Sequence, residues 1–146
     1  MLVGVAEHLL ARPSNVLRVS LHPEGLAPRI VNLGEWRAHL LHRLRHLVDT
    51  SGDAVLAELH AELAAYPCDD DYDESMLSPA AHVAVPFRVR SDFGELAFIS
   101  TITVFGTPLD VTLSELAIES FFPADAATAQ AMRAFGATLE PMPPNH

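Results

Sequence analysis

Two hydrophobic periods divide the chain: apolar positions recur at helical spacing up to about residue 67 and alternate from residue 83 onward. MLVGVAEHLLAR opens the first part, with Leu2, Ala6, Leu9 and Leu10 on one side of a short helix that Pro13 ends. Residues 15–22 fit two templates. Leu17, Val19 and Leu21 alternate with Arg18 and Ser20 as in a strand, while Val16, Leu17, Ser20 and Leu21 share a helical face. Ser14 is available as an N-cap, which favours a short helix, and His22-Pro23-Glu24-Gly25 then makes a turn. Asn32 followed by Glu35 is a variant of the capping box and starts a longer helix near Leu33. Leu33, Trp36, Leu40, Leu44, Leu47 and Val48 gather on one side of it, with His39, His42 and His46 roughly opposite. Gly52 and Asp53 separate it from a second helix, whose buried stripe is Leu56, Leu59, Leu63 and Tyr66 and whose stop is Pro67.

CDDDYDESMLSP, residues 68–79, is an acidic loop and the stretch expected to be disordered. Beyond it Val83, Val85, Phe87 and Val89 alternate with Ala84, Pro86, Arg88 and Arg90 as a first strand. Ser91-Asp92-Phe93-Gly94 reads as a hairpin connection to a second strand, from Glu95 to about Phe105. Leu96, Phe98, Ser100, Ile102 and Val104 lie on one face of that strand. Gly106-Thr107-Pro108 turns the chain into a third strand, from Leu109 to about Phe121, where a slip in apolar phase predicts a bulge near Ser114. Asp125 caps a final helix to Phe135, Gly136 ends it, and residues 137–146 form a frayed tail. Helices, then an antiparallel meander of three strands, then a closing helix imply a single α+β domain over 1–146, with helices packed on one face of the sheet.

Charge removes one class of function. The net charge is −10 and all nine basic residues are arginines, so the chain lacks the Lys- and Arg-rich surface that displaces counterions from phosphates. Direct DNA binding by this segment is not expected. The apolar runs are too short to span a bilayer, and the opening residues lack the basic region of a signal peptide. A single cysteine, Cys68, permits no internal disulfide and fits a reducing cytoplasm.

Three segments and their spacing carry a resemblance: NVLRVSLHPEGLAPRIVNLGEWRAHLL, VPFRVR and GELAFISTITVFGTPLDVTLSELAIESFFPAD. From about Val5 to Phe135 the chain resembles the MmyB-like ligand-binding domain, which follows the helix-turn-helix of many bacterial XRE-type transcription regulators. The resemblance implies a PAS-like fold that binds a small hydrophobic ligand, with fatty acids as the associated class. It also implies DNA binding through a separate helix-turn-helix domain. Two features depart from the pattern. No helix-turn-helix precedes these residues, and the hairpin that opens a PAS-like sheet is missing. The expectation is either a fragment of a longer regulator or a sheet completed by another chain; an incomplete sheet has an open edge and favours a homodimer.

Other constellations yield to simpler readings. His39, His42 and His46 share a helical face as a zinc site requires, but no carboxylate or cysteine joins them and Arg43 lies among them, so a solvated basic face is expected. Asp69, Asp70, Asp71, Asp73 and Glu74 lack the spacing and central glycine of a calcium loop. No nucleophile elbow, P-loop or dinucleotide fingerprint appears, and Cys68 beside three aspartates is a poor thiolate. No cofactor, metal or catalytic residue is expected. The apolar sheet face remains: Phe87, Phe98, Ile102, Val104 and Ile118 opposite Trp36, Leu40 and Leu44 form either a filled core or the wall of a ligand cavity. Ser100 interrupts that face. Arg37, in the first turn of its helix, is the candidate partner for an anionic head group. The reading is a sensory domain; its rivals are a dimerisation module with a filled core and a small enzyme of unknown reaction.

Overall fold

Asn15 decides between the two templates for the segment after Pro13. Its Oδ1 accepts hydrogen bonds from the N–H groups of Leu17 (3.0 Å) and Arg18 (3.1 Å), so the chain enters a helix, α2, over Val16–Leu21. The cap is Asn15 rather than Ser14. The computed structural model describes residues 5–11, 14–70, 72–79, 81, 84–104 and 117–138. A short α1 spans Glu7–Leu10, and α3 (Leu33–Ser51) and α4 (Ala54–Ala64) follow α2. The sheet comprises β1 (Phe87–Ser91), β2 (Gly94–Val104) and β3 (Ala117–Pro123), and α5 (Ala126–Thr138) closes the described chain. This is the expected α+β arrangement. The turn at Gly106–Pro108 and the bulge near Ser114 fall outside the described residues.

The start of α3 differs in mechanism from the expected capping box. The Asn32 side chain donates to Glu35 Oε2 (3.0 Å) and to the Pro86 carbonyl (2.9 Å), while its Oδ1 accepts from Arg88 N–H (3.3 Å). Asn32 therefore ties the helix to β1. The orphan N–H of Gly34 is instead satisfied by Asp70 Oδ2 at 3.0 Å, from the acidic loop expected to be disordered. A Cβ at position 34 would lie 2.6 Å from Asp70 Cβ and 2.8 Å from Tyr72 Cβ, so glycine is what lets the loop dock there. Gly52, in the left-handed region at φ 66°, ends α3, and Asp53 Oδ1 caps α4 through Val55 N–H (2.7 Å).

The strands pair antiparallel in the order β1-β2-β3, with Phe87 opposite Phe98 and Val89 opposite Leu96. These four side chains are buried against the helices, whereas Arg88, Arg90 and Glu95 point to solvent. The outer edge of β1 is not open. Ile30 bridges Val89, and Val31 N–H donates to the Arg88 carbonyl at 2.8 Å. Just past β3, Ala124 N–H donates to the Ala97 carbonyl (2.8 Å), and Thr128 Oγ1 of α5 accepts from Ala97 N–H (2.9 Å). Asp125 Oδ1 caps the helix through Thr128 N–H (2.7 Å), as expected, but the helix runs through Gly136 to Thr138.

His39 corrects the expectation of a solvated histidine face. It is buried, with Nδ1 2.8 Å from the Ala81 carbonyl. Burial pushes its pKa below the usual 6.5. Across α2 and α4, Arg18 holds Glu62 in a bidentate pair (2.8 and 2.7 Å) and Tyr66 donates to the same carboxylate (2.6 Å), which brings Glu62 down to about 2. Both groups have depressed folded-state pKa values, so each stabilises the fold above its unfolded value and loses that contribution as pH falls. The urea midpoint should therefore drop as pH falls below about 6.5, first through His39 and then, below about 4.5, through Glu62. His39→Asn keeps a donor for Ala81 without a titrating ring and should flatten the upper part of that profile. An upper profile as steep in His39→Asn as in the parent would assign it to other groups.

Candidate ligand cavity

A cavity of about 700 Å³ lies between α2, α3 and the inner face of the sheet, within the ~300–1,000 Å³ typical of small-molecule sites. From α3 it is lined by Trp36, Leu40, Arg43, Leu44 and Leu47, and from the sheet by Phe87, Phe98, Glu119 and Phe121. Leu10, Ser14, Val16, Leu17, Val19, Ser20 and Leu26 form the opposite wall, and Met132 of α5 completes the described lining.

The sheet register produces the inner wall. Phe98 faces Phe87 across β1, and Ser100 pairs with Phe121 and Ile102 with Glu119 across β3, so Phe121 and Glu119 share the phase of Phe98. Trp36 meets Phe87 at a 47° tilt with 5.1 Å between centroids, and Phe87 meets Phe121 edge-on at 6.2 Å. The indole N–H of Trp36 donates to Ser20 Oγ at 3.0 Å, so both buried polar groups are paired and the surface they leave is apolar. Arg43 and Glu119 are the charged groups among the described lining residues.

Of the residues expected at the site, Trp36, Leu40, Leu44, Phe87 and Phe98 meet around the cavity. Ser100 is half-buried on β2 and is not part of the described lining. The backbones of Ile102 and Val104 pair with Glu119 and Ala117, and Ile118 stands opposite Thr103, one residue out of phase with Glu119; the side chains of these three lie outside the described residues. Arg37 points elsewhere. Its Nη2 donates to the carbonyl of Ala64, the last residue of α4, where unpaired carbonyls and the helix dipole attract a cation. The arginine at the cavity is Arg43, seven positions after Trp36 and so on the same stripe as Trp36, Leu40 and Leu47. That spacing is the signal the sequence carries for it. His39, His42 and His46 do not form a metal-holding group; among the described residues the cluster with that potential is His8, His22 and Glu24, off the cavity lining.

Among the described residues no helix is long and apolar enough to cross a membrane. A family model described as the MmyB-like transcription regulator ligand binding domain matches residues 1–135. No match was found among curated proteins or among solved structures.

Proposed function

The chain belongs to the MmyB-like transcription regulator ligand-binding domains, and on that premise we propose that it is the sensory, non-enzymatic half of an XRE-type regulator whose cavity takes a fatty acid. The observation that carries this reading is an aromatic and aliphatic cavity with Arg43 as the arginine among its described lining residues. Hydrocarbon released from water onto Trp36, Leu40, Phe87 and Phe98 supplies the affinity, roughly 0.8 kcal/mol per buried methylene. The guanidinium of Arg43 selects a carboxylate at the polar end. In this proposal the acidic domain acts in the cytoplasm as a homodimer. It leaves DNA contacts to a separate helix-turn-helix domain, whose arrangement shifts when the ligand favours one state of the pair. Ile99 and Phe122, which pair across β2 and β3 and are exposed, supply apolar surface for self-association.

Native mass spectrometry of the purified chain, before and after addition of a long-chain fatty acid, reads both points. One carboxylic acid per subunit and a two-subunit mass are expected. A monomer that takes up no acid would replace this reading with a filled structural module.

A further inference from the structure

We propose that His8, His22 and Glu24 form a divalent transition-metal site that clips α1 onto the turn following α2. One ligand atom from each of the three side chains lies within 4.8 Å of the other two. The backbone already joins the segments that carry them: Ala6 N–H donates to the Glu24 carbonyl (3.0 Å), and Gly25 N–H closes the turn on the His22 carbonyl (2.8 Å). A metal therefore gathers side chains from a scaffold that is in place, which lowers the ordering cost of binding. His22 is held edge-on between Tyr66, at 5.0 Å, and His8, at 5.7 Å. His8 and Glu24 are exposed, so their rotation onto bonds of about 2.0–2.2 Å meets little packing resistance.

Two imidazoles and a carboxylate suit zinc, cobalt or nickel, whereas magnesium and calcium favour all-oxygen sets. Three protein ligands leave a further position for water. In the metal-free protein, Glu24 N–H donates to His22 Nδ1 (3.0 Å), so the neutral ring carries its proton on Nε2. Ligation of the ring alters that hydrogen bond, so the Glu24 amide reports occupancy. The site reaches the cavity wall through α1. Leu10 of that helix lines the cavity, and four residues of helix cannot hold themselves in place. Occupancy of the metal site then fixes one side of the pocket, although the site itself stands independently of what the pocket binds.

The test is a calorimetric titration of zinc chloride into the chelator-treated full chain, repeated with magnesium chloride. One equivalent of zinc and no magnesium should bind, and the Glu24 amide resonance should move with zinc. His8→Ala and Glu24→Gln, both at exposed side chains, should each weaken zinc by about tenfold or more with an unchanged far-UV spectrum. His46→Ala, exposed on α3, should leave binding as it was. Absence of zinc binding, or binding that survives both substitutions, overturns the proposal.

Discussion

Leu63→Ala should lower the free energy of unfolding by about 2–5 kcal/mol, a large part of the ~5–15 kcal/mol available to a domain of ordinary stability. Leu63 is 0% exposed on α4, an 11-residue helix of a length that is marginal in isolation. What stabilises α4 is the burial of Leu59 and Leu63, supported by the Arg18–Glu62 pair that ties it to α2. Removing three carbons from Leu63 takes away transfer energy and leaves a void. Val55→Ala is the control: Val55 is 71% exposed on the same helix and its truncation should change stability by no more than about 0.5 kcal/mol. Urea unfolding with an unchanged slope gives both values. A Leu63→Ala cost no greater than that of Val55→Ala would mean that α4 is dispensable to the cooperative unit.

Arg43→Ala should weaken a long-chain carboxylate by about 1.5–3 kcal/mol while leaving the corresponding alcohol almost unaffected, because only the acid presents a charge for the guanidinium to pair with. Trp36 is the only tryptophan and lines the cavity at 4% exposure, so its emission reports occupancy directly. Arg37→Ala should behave in the opposite way. Its guanidinium closes the C-terminal end of α4 through Ala64, so its loss should cost about 0.5–1.5 kcal/mol of stability and leave both affinities in place. Equal losses for acid and alcohol in Arg43→Ala would make that side chain part of the apolar wall. A selective loss in Arg37→Ala would return the head group to the start of α3.

The helices and the hairpin were legible because their signals are local. Gly52-Asp53 punctuates α3 and α4, and Asp125 caps α5 as its position implies. The alternation through Phe87 and Val89 and through Leu96 and Phe98 marked the buried face of the sheet correctly. Three features needed contacts distant in sequence. His39 lies where helical angle alone puts solvent, yet the chain returns 42 residues later and covers it at Ala81. Asp70, in a run that composition assigns to disorder, caps α3 through Gly34 36 residues earlier. Arg37 and Arg43 both fall near the apolar arc of one helix, and only the packing of α4 separates the structural arginine from the one at the cavity.

By itself the order of residues determined the class of the fold, the buried faces of β1 and β2, and five of the residues that surround the cavity, because these follow from periodicity and from caps within one turn. It also determined, through three motifs and their spacing, the family to which the chain belongs. Tertiary structure alone decided that α1 and α2 close the cavity, that Glu119 and Phe121 reach it through the β2–β3 register, and that Ile30–Asn32 cover the edge of β1. It also placed His8 beside His22 and Glu24. The division has one physical cause: a helix face or a strand phase is set by neighbours within a few residues, whereas a cavity is the space left between elements. Its walls are known only once the elements are packed.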